Sequence, residues 1–592
     1  MTKPSMPEPS TSASSGGKPK KARLGRRFLT APTEGWKPYA LLTIFCCILF
    51  LPGIASLPPL DRDEARFAQA TAQMLETGDF VDIRFQDQPR HKKPAGIHWL
   101  QAASVTLLSD VAAREIWAYR VPSVIGAWAT VLLTFALGAC LFDRRTAFAA
   151  AGMLAASVLL ILEAHQAKTD AVLLACVMAQ QLALARHYLA AKTDKGPAVT
   201  VWSLLFWLAI AAGVLIKGPI APLIAALTIV ALAVADRGGG DRGGAWIKGL
   251  GWLWGVPLAL VIALPWFILI GDKSDGGAGG FVSTALTTDL IPKLLGGQES
   301  HGAPPGYYVL TMLLFFWPGV FLAWPSLYRA WKDRTDPALR FCLAWLIPAW
   351  ILFELIPTKL PHYVLPLYPV LALICARSAI AIFDGKADWY DKRALWVTGG
   401  LWALVGLVLG GAAAYLPVHF GADTNWHTWF FALFALYILG TTAAAMKHHV
   451  INEALENSII SGGIMVTMVI WLMLSNFSPM WVAARAADAV AAAFKDGTRP
   501  LTAVAGFSEP SMVFLSGTDT VLTSGGGAAA HMMAAPNTAA AIVEDRELNA
   551  FLKALGEKAE MVDHAEQISG INYSKGKPVI LHVFVPKRPP LR

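Results

Sequence analysis

Five short clusters of ionisable residues interrupt an otherwise apolar chain. They are Asp61-Arg62-Asp63-Glu64 with Arg66, His91-Lys92-Lys93-Pro94, Lys168-Thr169-Asp170, Lys217-Gly218-Pro219 and Lys359-Leu360-Pro361-His362-Tyr363. Ionisable groups at the edge of apolar runs are costly unless paired or functional, and Asp61 and Asp63 repel one another unless cations lie near. If the clusters meet, the ammonium groups of Lys93, Lys217, Lys293 and Lys359 make an anion-binding cleft in which Asp63 and Asp170 stand as spare carboxylates. Each residue taken alone also fits a snorkelling anchor or a helix cap, so the case rests on the elements that carry them.

Those elements are read from hydropathy. Of the 592 residues 55% are hydrophobic and 15% charged, and the mean hydropathy is +0.49, values that mark a polytopic α-helical membrane protein. Apolar runs at 38–58, 115–142, 146–163, 170–191, 200–216, 219–236, 247–271, 306–330, 338–356, 363–383, 394–416, 427–446 and 458–478 predict about thirteen spans, each long enough to cross a bilayer as helix. Lys and Arg gather on the inner side of membranes. The basic tail (Lys18 to Arg27) is therefore inside, and alternate loops follow it there: Arg144-Arg145, Lys192 with Lys195, Arg237 with Arg242 and Lys248, Arg329 to Arg340, Lys386 to Arg393, and Lys447. With that threading all five clusters emerge on the outer face, in a bacterium the periplasmic face of the inner membrane.

The net charge of +8 is mostly topogenic, which argues against a nucleic-acid partner. Cys46, Cys47, Cys140, Cys176, Cys342 and Cys375 lie in apolar runs and read as core thiols. Gly238-Gly239-Gly240 and Gly525-Gly526-Gly527 lack the strand, spacing and Lys of a phosphate-cradling loop. Residues 1–37 form a disordered basic cytoplasmic tail, 38–480 the transmembrane domain and 481–592 a small α/β domain on the outer side.

Two outer loops and the C-terminal part complete the reading. In the first loop, 59–112, Glu64 to Leu75 reads as an interfacial helix with Ala65, Ala68, Ala72 and Leu75 on one face and Asp63 at its N-terminal edge. Ala95 to Leu100 reads as a second interfacial run. The loop at 272–305 carries Asp289, Lys293 and His301, and its length marks it as functional. His301 there is a proton carrier, a ligand or a hydrogen-bonded loop residue. In the C-terminal part Leu501–Ala505 and Val579–Val585 read as strands, Asp545–Leu552 as helix and Gly517–Pro536 as a flexible loop.

The run Asp63-Glu64-Ala65-Arg66-Phe67, then Lys93-Pro94, Asp170, Lys217-Gly218 and Lys359-Leu360-Pro361-His362-Tyr363 resembles the polyprenyl-phosphate-sugar glycosyltransferases, which include aminoarabinose transferases of lipid A and protein O-mannosyltransferases. The resemblance extends from about Leu57 to about Pro369. It implies a GT-C fold and an inverting transfer from a polyprenyl-phosphate sugar donor to lipid A, core oligosaccharide or another envelope acceptor. Asp63 and Asp170 match the family's catalytic carboxylates, and Lys93, Lys217, Lys293 and Lys359 are the expected contacts of the donor phosphate. Glu64, Arg66, Lys92, His301, His362 and Tyr363 are the expected supporting residues. The aminoarabinose transferases have an acidic residue before Lys-Pro that, with a loop His, binds a divalent metal. Lys92 and Asp289 stand at those places here, which disfavours a metal and suits an acidic donor sugar. No cofactor is otherwise expected. Two other readings fit a polytopic chain, a flippase or transporter for a lipid-linked sugar and a noncatalytic polysaccharide-assembly subunit. A transporter, however, tends to duplicate its halves and to carry charge at the midplane.

Overall fold

The structure is a computed structural model that describes residues 33–192, 200–237, 245–273, 302–384, 392–420, 426–447, 451–494 and 499–587. Up to Ala493 the described residues are mostly helical. The first nine helices are α1 (Lys37–Phe50), α2 (Asp63–Thr77), α3 (Gly96–Leu108), α4 (Ile116–Leu141), α5 (Arg144–Ala155), α6 (Val158–Ala164), α7 (Asp170–Lys192), α8 (Thr200–Lys217) and α9 (Ile220–Ala235).

Among the described residues nine helices are long and apolar enough to cross a membrane, ten if the bent pair α5 and α6 is one span. This is fewer than the thirteen apolar runs, for a local reason in each case. Helices α1 and α9 are shorter than the hydrocarbon core requires. The run at 306–330 is broken into Tyr307–Phe315, a short 3₁₀ turn and Ala323–Lys332. The chain is thus a multi-pass membrane protein in which every apolar run became helix, though not every helix is a full span.

Packing places the ends of these helices. Helix α7 lies against α4 and α8. A Cβ at Gly126 of α4 would fall 2.8 Å from the backbone of Ala171, so only glycine lets the start of α7 approach this closely. At the far end of the same helices Asp236 binds both Lys192 (2.9 Å) and Arg340 (2.6 Å). Lys192 and Arg340, from two of the alternate loops, are therefore ion-paired at one end of the bundle, while Asp170 and Lys217 occupy the other.

Helix α2 and the short hairpin β1 (Arg84–Phe85) with β2 (Gln88–Pro89) form a cap over that second end. The expected apolar face of α2 faces protein: Ala68 and Ala72 pack with Val105, Tyr119 and Phe514. The C-terminal unit is a five-stranded sheet, β3 (Leu501–Ala505), β4 (Val521–Thr523), β5 (Ala539–Glu544), β6 (Val562–Asn572) and β7 (Lys577–Pro586), in the order β4-β3-β5-β7-β6. Strands β3, β4 and β5 are parallel, and β7 and β6 run antiparallel to their neighbours. The region expected to be a flexible loop, Gly517–Pro536, instead contains β4 and the helix Gly525–Ala534. Its alanines supply the reason: Ala528, Ala529 and Met532 are buried against the sheet, so a segment that looked like a Gly-rich linker has an apolar face.

Candidate active site

Helix α2, the segment after β2, the start of α7, the end of α8 and the residues at 358–363 surround one cavity of about 590 Å³. Its walls include Asp63, Arg66, Lys92, Lys93, Asp170, Lys217, His362 and Tyr363, with Arg90 and Lys168 between them. Residues from all five sequence clusters therefore reach one place.

Each wall residue is held by its element. Helix α8 ends at Lys217, and Gly218 follows with φ +66°, a left-handed conformation natural to glycine at a helix C-terminus. The turn aims the Lys217 ammonium at the Asp170 carboxylate, with which it forms an ion pair, and sets it 5.7 Å from the centre of the Tyr363 ring. Lys168 binds Glu163 at 3.0 Å, and His362 lies 4.0 Å from the same Glu163 oxygen.

Nearby, Glu64 is buried and grips Arg120 through both carboxylate oxygens, at 2.8 and 2.9 Å. It also accepts the N–H groups of Leu60 and Ala167. One buried ion pair thus ties the start of α2 to α4 and to the loop before α7. Losing one partner of such a pair costs about 3–5 kcal/mol.

Asp63 opens into the cavity. Its enclosure by the cleft walls pushes its pKa up, but Lys168, Arg90, His362 and Arg66 outweigh that and hold it below the usual carboxylate range. It is therefore an ionised carboxylate at neutral pH. Lys168 goes the other way: burial lowers its pKa, yet Glu163, Asp170 and Asp63 together raise it, so its charge is locked on. Two carboxylates and several cations in one open cavity can bind an anion, orient a nucleophile and hold its proton.

Not every expected residue is there. Lys359 is absent from the cavity wall. Its ammonium turns back to donate to the carbonyls of Glu354 and Ile356, both at 2.7 Å, and of Phe353 at 3.3 Å. It caps the end of the Pro337–Leu355 helix rather than facing the cleft. Lys293 and His301 lie outside the described residues. Glu64 holds the backbone through its bonds to Arg120, Leu60 and Ala167.

The sequence reading missed Arg90, Lys168 as the cation nearest Asp63 in influence, Glu163 and Arg120. A signal existed for two of them, since Arg120 and Glu163 are ionisable residues inside apolar runs. Among the described residues no three of His, Cys, Asp or Glu are placed to hold a metal ion. Asp63 is ringed by cations, a poor setting for a divalent ion.

The chain is similar to known proteins in sequence and in fold. Residues 92–269 match the family described as dolichyl-phosphate-mannose-protein mannosyltransferase. The undecaprenyl phosphate-alpha-4-amino-4-deoxy-L-arabinose arabinosyl transferase of Serratia proteamaculans is 26% identical over 397 residues, 65% of this chain and 67% of that one. The protein of the same name from Yersinia pestis is 24% identical over 64% of this chain and 65% of its own length. The sequence matches thus span about two thirds of these relatives. The crystal structure of ArnT from Cupriavidus metallidurans bound to undecaprenyl phosphate superposes with a TM-score of 0.68 at 17% identity, covering 93% of this chain and 98% of that one. Its apo form gives 0.67. The chain therefore has the fold of these membrane proteins and is similar in sequence to the aminoarabinose transferases.

Proposed function

We propose that the chain moves a sugar, with inversion at C1, from a polyprenyl-phosphate donor to lipid A or another envelope acceptor at the periplasmic face of the inner membrane. The observation that carries this reading is the single cavity in which Asp63, Asp170, Lys217, Lys168, Lys93 and Lys92 meet. The relatives named above use, by their names, an undecaprenyl-phosphate-linked aminoarabinose, which supports a donor of that class here.

In the reaction an acceptor oxygen forms a bond to C1 while the bond from C1 to the phosphate oxygen breaks. The electron pair leaves with the phosphate, which passes from diester to monoester and gains negative charge. Cations fixed in advance stabilise that charge, and one such contact is typically worth about 3–4 kcal/mol. Lys217 and Lys93, both on the cavity wall, take this role in our reading, with Asp170 holding the Lys217 ammonium in position.

If the acceptor is a hydroxyl, Asp63 takes its proton. Because the pKa of Asp63 is held low, the carboxylate accepts the proton only as the new bond makes the hydroxyl acidic. A phosphate acceptor is already ionised and needs only orientation.

The test is mass spectrometry of lipid A and core oligosaccharide from cells lacking the chain, complemented with wild type or Asp63→Asn at matched membrane abundance. Loss of one sugar mass, restored by wild type alone, is expected. Full rescue by Asp63→Asn would remove Asp63 from the reaction, and an unchanged glycan profile would move the acceptor to protein or another polymer.

A further inference from the structure

The C-terminal domain touches the chain at the two residues that precede Asp63. The turn joining β6 to β7 reaches the cap, where the Asp61 N–H donates to the Tyr573 hydroxyl at 2.6 Å. The Arg62 guanidinium donates to the Ser574 carbonyl at 2.7 Å. From the same domain the Ser511 N–H donates to the Asp61 carboxylate at 3.3 Å. The turn is itself fixed: Asn572 donates to the buried Glu509 at 2.8 Å, Lys575 pairs with Glu509 at 3.4 Å, and the Tyr573 ring meets Trp481 edge-on.

What lies between these contacts is a strained residue. Arg62 has φ +67° and ψ −105°, and it is one of three non-glycine residues with positive φ among those described. Such a conformation persists only where the surroundings impose it. The next residue is Asp63, the first of α2. The dihedral angles of Arg62 therefore set where the Asp63 carboxylate starts its path into the cavity.

We propose that the C-terminal domain is a positioning element for Asp63, acting through the grip of Tyr573 and Ser574 on Asp61-Arg62. The inference rests on the reading of Asp63 as a carboxylate of the transfer reaction. It gives a task to a domain that lines none of the cavity's walls. Tyr573 is a positioning residue, since it holds the backbone and does not reach the reacting atoms.

The experiment uses the full chain in membranes, with undecaprenyl phosphate carrying the sugar reported by the missing glycan mass. Tyr573→Phe keeps the ring against Trp481 and removes the hydroxyl. The expected result is a kcat lower by roughly ten-fold, because ångström-scale misplacement of a reacting group costs up to about a hundredfold. The donor KM stays within about two-fold and membrane abundance is unchanged, since only orientation is lost. Arg62→Gly alone removes the bond to Ser574 and frees the backbone at that position, so it is expected to lower kcat as well.

Two results would overturn the inference: a Tyr573→Phe protein with unchanged kcat, or a lost transfer rate that is fully accounted for by lower membrane abundance. Asp63→Asn in the same assay separates the two claims. If it abolishes transfer while Tyr573→Phe does nothing, only the positioning role fails; if Asp63→Asn is fully active, the underlying reading of the site fails.

Discussion

Two lysines close apolar helices on the same face of the molecule and go to opposite destinations. Lys217 ends α8 and is turned by Gly218 into the cavity, where it pairs with Asp170. Lys359 follows the Pro337–Leu355 helix and folds back onto that helix's own last carbonyls. Both read as a Lys just before a Pro-containing turn. The difference lies in the residue after each: Gly218 reverses the chain within one residue, whereas Leu360 is extended (φ −128°, ψ +139°) and lets the lysine stem lie along the helix it has just left. One lysine thus faces the cavity and the other secures a helix end.

That contrast can be broken by mutation. Lys217→Ala is expected to lower kcat by about 10²–10³, the usual cost of one preorganised electrostatic contact, with membrane abundance near wild type; steady-state transfer rates with quantified protein check it. Lys359→Met is expected to leave the rate per folded protein within a few-fold. It removes the donor from a cluster of otherwise unsatisfied carbonyls and lowers stability by about 1–3 kcal/mol, visible as a lower thermal midpoint in detergent. A Lys359→Met protein that is stable but inactive would return Lys359 to the cavity.

Two carboxylates of the first loop sharpen the comparison through pH. Burial raises Asp61 to about 6, helped by Glu509 and opposed by its bonds to Ser511 and Tyr573. Its ordinary pKa is about 3.9, so the folded junction binds more protons than the unfolded chain between those values. Its contribution to stability is present below about pH 4 and is lost as pH rises through 6. Asp61→Asn is therefore expected to stabilise the docking of the C-terminal domain by about 1–3 kcal/mol at pH 8 and not at all near pH 4, as thermal unfolding at the two pH values would report. Asp63 is held low instead. The part of the rate that depends on it should stay flat down to about pH 4, and a pH–rate profile falling already at pH 6 would contradict its ionised state.

Much of this was legible in the sequence because membranes leave few options. An apolar run has to become helix, and alternating Lys and Arg loops place the clusters of Asp63, Lys93, Asp170 and Lys217 at one face. The details that failed were local and geometric. Whether a helix is a full span depends on breaks such as the one between Phe315 and Ala323. Where a lysine points depends on one residue's φ. Glu163 and Lys168 matter because an interior bend between α6 and α7 brings them beside His362, and no spacing rule announces that. The role of Glu64 was legible only as support, since its partner Arg120 lies 56 residues away.

The most direct test of the central claim, that the separate clusters form one reacting site, is a double-mutant cycle on transfer rate with Asp63→Asn and Lys217→Ala at matched abundance. Residues that act as a unit are strongly non-additive. Each single change is expected to cost at least about a hundredfold, and the double mutant is expected to be no more than a few-fold slower than the slower single. Fully multiplicative losses would place the two residues in independent steps, and a single mutant with wild-type turnover would remove that residue from the site.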